Sequence, residues 1–571
     1  MKNFKIFLLA IAGLLAFSAC SDKDSASSEG PQEDGPDYLV MLYAVGGGNL
    51  DSFILSNIYQ ALDAGSCDNV KMTVQYKASK NFQVEFPEFD GTRRFDLDDN
   101  THLVGTIEDA LSYSPIIRKE VEIRNLFSQL KSERFADADY RMASSEGLTE
   151  FIKWSKAKHP GAKRTILIIN VHGGGWRLET DGLMDSRAIL WDDIEQEELS
   201  LNQVVEGVKN AGKVDVLYTD ACLMSVYENL YGYADCARYL LASIEFTPGG
   251  GGEYGELLTA LKWAEPSNAE VESSMLQLYL DYLASDRWWQ SNKLMNIGLG
   301  NNYADIGLYD LSKIDRLTAV LKKTTDTMVE KFDSDESINP TAELCPLGDT
   351  FHGYINYALS NCMVADCRSQ YSVMDVPSVL IPYLEKDKFL PSGYTSNWLI
   401  NTSALIVWLR YAPTDNAKEA CANYPDEWEK MKRKVVDMGQ PCYSITDMLR
   451  LLDEQLTAVG AANNPFKPLR AELLATLKDM AYISCTIGDE KPGIDQAYEL
   501  CSPGVTLVPF NDYYNDNFSN NFKKIIPTYQ QAQSIYQSTK FDQQVGWSRM
   551  LQRIEIFPNA LTNPSRRTVA R

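Results

Sequence analysis

The chain has 571 residues, of which 44% are hydrophobic and 11% aromatic, so it is too long for one small core and too apolar for a disordered protein. Acidic residues outnumber basic ones by 78 to 54, and the formal net charge is −24. A surface of this sign repels phosphate backbones, so we expect no nucleic-acid partner. The charge serves either solubility alone or the attraction of a cationic substrate.

The N-terminus has the pattern of a bacterial export signal. A basic start precedes an apolar run from Ile6 to Phe17, which is too short to span a membrane. The small residues Ser18 and Ala19 directly before Cys20 resemble a lipobox. That resemblance implies cleavage of residues 1–19 and attachment of lipid to Cys20, whereas an ordinary signal-peptidase site nearby is the alternative.

The residues after Cys20 bear on where the protein resides. The sequence Ser21-Asp22-Lys23-Asp24 is similar to the surface-export tag of Bacteroidetes lipoproteins, and the small polar residues over 20–36 predict a flexible tether. We therefore expect a cell-envelope protein that is lipid-anchored to the outer membrane, with exposure at the cell surface. We also expect it to act as a monomer.

Cysteine and histidine usage argues against a structural metal. The chain has 11 cysteines, and an even number remains without Cys20, which permits disulfides in an exported chain. Cys362 and Cys367 are close in sequence, but no second Cys/His pair lies nearby and the chain has only 4 histidines. We predict no metal centre.

Strand-like and helix-like segments alternate along the first half of the chain, which predicts an α/β fold with a mostly parallel sheet and helices on both faces. A polar insertion covers residues 90–143, and Ser145 is the predicted cap of the helix that follows it. The predicted strands are Tyr38–Val45, Val70–Lys77, Thr165–Val171, Val214–Thr219, Arg238–Glu245, Ser403–Tyr411 and Gly504–Pro509. The predicted helices are Asp51–Ala64, Ser144–His159, Leu201–Ala211, Met224–Ala237, Lys313–Phe332 and Ala471–Ala481.

Unusual sequences follow two of the buried strands. One is His172-Gly173-Gly174-Gly175 and the other is Asp220-Ala221-Cys222. Consecutive parallel strands are usually neighbours, and open α/β sheets bind ligands at the carboxyl ends of their strands. The side chains of His172 and Cys222 are therefore expected to meet at one edge of the sheet.

Such a pair can hydrolyse an amide. The thiolate of Cys222 attacks the carbonyl carbon and the imidazole of His172 protonates the leaving amine. The N–H groups of Gly173 and Cys222 would stabilise the oxyanion, and a helix starting directly after Cys222 would favour the thiolate. Each motif alone has an ordinary structural interpretation, a small buried cysteine and a glycine loop, and only their joint position favours chemistry.

These segments resemble the clostripain family of cysteine peptidases, within the larger group that holds caspases, legumains and gingipains. The similar segments occur in the family's order and cover much of the chain, and Asp220 to Met224 with Glu228 is the most specific of them. The others are Tyr43–Leu50, Leu148–Trp154, Pro160, Ile166–Trp176, Leu199–Val205, Leu240–Glu245, Pro248, Gly249, Tyr254, Gly504–Pro509 and Trp547–Leu551.

The resemblance implies roles for individual residues. Cys222 matches the nucleophile and His172 the general acid/base. Asp220 matches the acid at the base of the S1 pocket, where Arg or Lys at P1 is recognised, and Ser243 would line the same pocket. A carboxylate can pair with a guanidinium in bidentate fashion, and Asp220 lies two residues before Cys222, so an extended strand would point both to one side. Capping of the next helix is the alternative role for Asp220.

Maturation and calcium are two further expectations from the resemblance. Some relatives cut themselves after a basic residue between the two motifs, for which Arg187 is the candidate here. Some relatives need calcium, and an acidic cluster could offer oxygen ligands, although a solvated surface is the ordinary interpretation of such a cluster. The cluster is Asp192, Asp193, Glu195, Glu197 and Glu198.

The sequence thus predicts a three-layer α/β catalytic domain of caspase-like topology over residues 37–300, an α+β C-terminal region over 301–555 packed on it, and a tail over 556–571. The expected activity is that of a secreted cysteine endopeptidase acting on proteins or peptides, with preference for Arg or Lys at P1. A surface glycan-binding lipoprotein in a SusD-like setting is one alternative, suggested by 30 tyrosines and 10 tryptophans. A catalytically inactive peptidase homologue used for binding is the other.

Overall fold

The architecture was analysed in a computed structural model of the chain. It describes residues 35–48, 50–103, 127, 129–137, 140–173, 176, 189–244, 247, 250–294, 303–334, 338, 350–361, 371–373, 377–387, 399–401, 414–428, 431, 442–487, 491–506 and 529–553.

The core of the fold is a nine-stranded mixed sheet. Its strands are β1 (Tyr38–Val45), β2 (Val70–Lys77), β3 (Thr92–Asp96), β4 (Glu133–Phe135), β5 (Arg164–Asn170), β8 (Val214–Asp220), β9 (Ala237–Ala242), β10 (Tyr303–Asp310) and β14 (Ala481–Ile487). Their spatial order is β14-β10-β9-β8-β5-β1-β2-β3-β4. The central strands β9, β8, β5, β1 and β2 are parallel, and the strands at both edges are antiparallel. The predicted α/β class with a parallel sheet centre is confirmed.

Six short strands form three small two-stranded sheets beside the main one. They pair β6 with β7, β11 with β12, and β13 with β15. Their bounds are β6 (Ile189–Asp192), β7 (Glu197–Leu199), β11 (Tyr371–Val373), β12 (Leu399–Asn401), β13 (Cys442–Ser444) and β15 (Gly504–Thr506).

Helices cover both faces of the main sheet. The α-helices are α1 (Asp51–Ala64), α2 (Lys80–Glu85), α3 (Ser145–Lys158), α4 (Leu201–Asn210), α5 (Tyr227–Tyr233), α6 (Tyr254–Trp263), α7 (Ala269–Leu294), α8 (Ile314–Phe332), α9 (Phe351–Asn361), α10 (Ile381–Lys386), α11 (Asp415–Asn423), α12 (Ile445–Ala458), α13 (Phe466–Met480), α14 (Ile494–Cys501), α15 (Tyr529–Gln537), α16 (Lys540–Val545) and α17 (Ser548–Leu551). Short 3₁₀ helices span Pro87–Phe89, Asp98–Leu103 and Leu311–Lys313.

Alternation along the strands divides the apolar residues between two cores. In β1, Leu39 and Met41 belong to one core and Val40 and Leu42 to the other, as expected for a strand buried on both faces. The first core (face A) also contains residues of α3, α4, α5 and α8, and the second (face B) contains residues of α1, α6 and α7. These two cores and the sheet between them are the three predicted layers.

Most predicted elements of the first half lie where the sequence placed them, with end shifts of a few residues. Two differences matter. The helix predicted from Met224 begins at Tyr227, and Ser144 rather than Ser145 caps helix α3, because Ser144 Oγ accepts the N–H of Gly147 at 3.0 Å. The strand predicted over Ser403–Tyr411 and residues 507–509 of the Gly504–Pro509 strand lie outside the described residues.

Two strands from the second half of the sequence complete the main sheet. β10 pairs with β9, and β14 pairs with β10. The described residues from Gly35 onward form one compact unit, and the division at residue 300 stays a prediction. None of the helices described is both long and apolar enough to cross a membrane.

Candidate active site

The ends of strands β5 and β8 are level with each other. Asn170 of β5 is the register partner of Asp220 of β8, and the N–H of Val171 donates to the carbonyl oxygen of Asp220 at 3.4 Å. His172 and Cys222 each follow two residues after this last matched pair. The structure therefore brings the two predicted catalytic residues to adjacent strand ends on one edge of the sheet.

Gly173 packs directly on the Cys222 backbone. A Cβ atom added at Gly173 would lie 2.4 Å from the carbonyl oxygen and 2.9 Å from the nitrogen of Cys222. Only glycine permits this approach, since real Cβ contacts are longer. The two residues whose N–H groups were predicted to hold an oxyanion are thus in contact through their backbones.

Cys222 is half-buried, and its sulfur contacts Thr247. Sγ lies 3.6 Å from the Thr247 hydroxyl and 3.8 Å from the Thr247 carbonyl oxygen. Burial raises the pKa of the Cys222 thiol, and the hydrogen bond with the Thr247 hydroxyl opposes that shift. The next residue, Leu223, has a φ of +64°, an unfavourable backbone conformation for leucine that is commonest at functional turns.

Two expectations about the Cys222 segment are wrong. Helix α5 begins at Tyr227 with Val226 as its N-cap residue, so Cys222 is not at a helix N-terminus and receives no field from one. For the same reason Asp220 does not cap a helix. The turn containing Leu223 separates the strand from the helix, and a strand-to-helix transition this long was not apparent from the pattern.

Asp220 lies in a buried polar cluster. Its Oδ1 accepts a hydrogen bond from Arg287 Nη2 at 2.7 Å, and its Oδ2 accepts from the Tyr254 hydroxyl at 2.9 Å and from Asn170 Nδ2 at 3.2 Å. The side chains of Asp220 and Arg287 are at most 1% exposed. Burial raises the pKa of Asp220, and the guanidinium of Arg287 opposes that shift.

Ser243 belongs to the same cluster. Its hydroxyl donates to the carbonyl oxygen of Asp305 at 2.9 Å and accepts a hydrogen bond from Arg287 Nη1 at 2.5 Å. The structure therefore brings Asp220 and Ser243 together, as expected, but it joins them through Arg287.

Asp220 and Cys222 have different packing neighbours. Asp220 bonds Tyr254, which belongs to the core of face B, whereas Cys222 packs against the core of face A. Strand alternation does not decide where the Cys222 side chain points, because strand β8 ends at Asp220 and the two-residue period does not reach Cys222.

The acidic residues proposed as calcium ligands have partners within the protein. Asp192 and Glu195 bind the buried Lys77 Nζ at 2.7 and 2.8 Å, and Asp193 accepts from the Lys80 N–H at 3.1 Å. Asp192 is fully buried, so the solvated-surface interpretation is wrong for that residue. In the part of the chain that the structure describes, Asp96, Asp98 and His159 form the one acidic or histidine group close enough for a shared cation.

Several predicted residues lie outside the described part of the chain, among them the lipidation candidate Cys20 and the self-cleavage candidate Arg187. Among the described residues, Cys67, Cys222, Cys236 and Cys485 are free thiols.

Sequence reasoning missed Thr247 and Arg287. Nothing marks Thr247 as a partner of Cys222, since it lies in a glycine-rich loop. Arg287 had one usable signal, because it follows Leu280 and Leu283 at helical spacing on the apolar side of α7. A charged residue on such a face needs a buried partner, but the sequence does not say which.

Comparisons with known proteins identify the family. A sequence model described as the clostripain family matches residues 42–379, a span that includes His172, Cys222 and Arg287. Clostripain of Hathewaya histolytica is 26% identical over 249 residues, which cover 41% of this chain and 44% of that protein. The matched part thus spans less than half of the curated relative.

Two solved structures are similar to this chain. A secreted C11 cysteine protease of Bacteroides thetaiotaomicron is 17% identical over 51% of this chain and 71% of that one, with a TM-score of 0.35. An inactive zymogen C11 protease of Parabacteroides distasonis is 11% identical over 90% of this chain and 98% of that one, with a TM-score of 0.42. The family-model match covers more than half of the sequence, and the chain therefore belongs to the clostripain family.

Proposed function

We propose that the protein is a cysteine endopeptidase whose nucleophile is Cys222 and whose general acid/base is His172. One observation carries this proposal most directly: the strands that lead to these residues end level with each other, at the Asn170–Asp220 register pair. Membership in the clostripain family supports it as well. Neither observation favours the glycan-binding alternative.

The reaction proceeds in two stages. The Cys222 thiolate attacks the scissile carbonyl carbon, and the resulting oxyanion accepts hydrogen bonds from the N–H groups of Gly173 and Cys222. The amine leaves with a proton from His172, and a thioester remains on Cys222. Water then attacks the thioester with His172 as base, which releases the new carboxyl group and restores the thiol.

The proposed preference at P1 is for Arg or Lys. The net charge of −24 and the carboxylate of Asp220 support it, since both attract a cation. The ion pair between Asp220 and Arg287 bears on this preference directly, because the same carboxylate is already bonded to a guanidinium.

Release of a fluorophore from peptide amides tests the proposal. Four peptides differ only in P1 (Arg, Lys, Ala or Asp), and Cys222→Ala and His172→Ala are the matched variants. We expect turnover of the Arg and Lys peptides that both variants lose. Turnover with a different P1 would keep the mechanism and reject the P1 preference. An inactive chain, even after trypsin nicking in the Arg187 interval and with calcium and reductant, would indicate the inactive homologue.

We further propose that the protein is secreted and anchored by lipid at Cys20 in the outer membrane, acting there as a monomer on proteins or peptides. The apolar run and the small residues before Cys20 support this. Labelling of cells with a palmitate analogue should mark the wild type and not Cys20→Ala. Equal labelling of both would reject lipidation at this residue.

A further inference from the structure

Arg287 is part of the core-facing side of helix α7. Leu276, Leu280 and Leu283 of that helix are buried in the core of face B, and Arg287 continues their spacing with a side chain that is 1% exposed. The burial of this guanidinium therefore follows from its position on the apolar face of the helix.

The guanidinium is held by three residues, two on strand β8 and one directly after strand β9. Nη2 donates to Asp220 Oδ1 at 2.7 Å and to the Tyr218 hydroxyl at 3.0 Å, and Nη1 donates to Ser243 Oγ at 2.5 Å. Asp220 and Ser243 are the two residues expected to bind the side chain of a P1 arginine. Arg287 therefore makes, from within the protein, the contacts that the resemblance assigns to a substrate.

We propose that Arg287 determines P1 specificity by competing with a cationic P1 side chain for the carboxylate of Asp220. This inference rests on the proposed endopeptidase function. Bidentate recognition of a P1 guanidinium uses both carboxylate oxygens. Here Oδ1 is bonded to Arg287 and Oδ2 to Tyr254 and Asn170, and the charge of Asp220 is neutralised before substrate arrives.

The competition has a defined consequence for selectivity. As long as Arg287 keeps its bond to Asp220, a positive P1 side chain gains less over a neutral one of the same shape than it would from a free carboxylate. Loss of the Arg287 charge leaves a buried carboxylate without its cation, and such a group binds an incoming guanidinium strongly. If Arg287 only stabilised the fold, its loss would change the cleavage of substrates with a positive and with a neutral P1 side chain by the same factor.

Peptide pairs of matched shape separate these two roles. P1 arginine is compared with citrulline, its neutral isostere, and the ratio of kcat/KM values is measured for the wild type, Arg287→Gln and Arg287→Lys. We expect the ratio to rise at least about tenfold in Arg287→Gln, since a hydrogen bond to a charged group is worth more than a factor of ten. Arg287→Lys should give an intermediate ratio, because an ammonium lacks the planar fork.

A ratio that is unchanged in both variants, while both peptides are still cleaved, would overturn the inference. Binding of ethylguanidinium provides a measurement that needs no turnover. By calorimetry in a Cys222→Ala background, it should bind at least about tenfold more tightly when Arg287→Gln is added. Equal binding with and without Arg287→Gln would also overturn it. Absence of turnover in the wild type together with tighter ethylguanidinium binding in the variant would reject the proposed function while showing that Arg287 competes with a cation for Asp220.

Discussion

The sulfur of Cys222 lies 3.6 Å from the hydroxyl oxygen of Thr247, a residue of the glycine-rich loop that follows strand β9. This contact joins the proposed nucleophile to a loop that the sequence did not connect with it. It also opposes the rise in the pKa of the thiol that burial causes. The ionisation of Cys222 therefore depends on Thr247.

Thr247→Val should raise the pKa of Cys222 further, because valine keeps the shape and removes the hydroxyl. Since the thiolate is the reactive form, its fraction grows as pH rises toward the pKa, and the variant should need a higher pH for the same reactivity. Alkylation of Cys222 by iodoacetamide as a function of pH, followed by peptide mapping, measures this. Thr247→Ser is the matched control and should behave as the wild type. A profile for Thr247→Val that is unshifted, or shifted to lower pH, would show that the hydroxyl does not stabilise the thiolate.

Gly173→Ala should abolish most activity. The new methyl group would lie 2.4 Å from the Cys222 carbonyl oxygen, a backbone atom that can move only if the strand ends separate. A displacement of about 1 Å at a catalytic centre can lower the rate by about 10²-fold. The rate of peptide hydrolysis by Gly173→Ala measures this loss. Gly493→Ala is the control and should keep its activity, since no described atom lies within 4 Å of a Cβ at Gly493. Full activity of Gly173→Ala would contradict the close approach.

Lys77→Met should lower the free energy of unfolding by about 3–5 kcal/mol, because it leaves Asp192 and Glu195 buried without their cation. Denaturation in urea measures the change. Lys322→Met is the control, because its pair with Asp326 is exposed at both ends and such pairs contribute about 0.3–0.5 kcal/mol. Similar small losses in the two variants would mean that the Lys77 cluster does not stabilise the fold.

The cap of helix α3 gives a second stability test. Ser144→Ala should lower stability by about 1 kcal/mol, because it removes the acceptor for the Gly147 N–H. Ser145→Ala is the neighbouring control, because the Ser145 hydroxyl donates to the Glu146 carboxylate at 3.3 Å and does not accept the Gly147 N–H. Thermal unfolding of the two variants distinguishes them. A larger loss for Ser145→Ala would restore the cap that the sequence favoured.

Local pattern was enough to place the elements around the site. The largely apolar run over residues 165–171 indicates a strand buried on both faces, and residues 214–219 indicate a second one. Two such strands with one helix between them are usually parallel neighbours, which is why His172 and Cys222 were expected at one edge. The cap at Ser144 was missed by one residue, because two adjacent serines offer the same hydroxyl.

The sequence by itself thus determined the sheet centre, the family and the two residues proposed for catalysis, since these depend on periodicity and on motifs within short segments. The tertiary structure decided which side chains contact Asp220 and Cys222. Asp220 and Arg287 are 67 residues apart in the chain, and Cys222 and Thr247 are 25 apart. Their contacts arise from how helix α7 and the loop after β9 pack on the sheet. Hydrogen bonding and charge pairing depend on distances of a few ångströms, which no spacing in the sequence fixes.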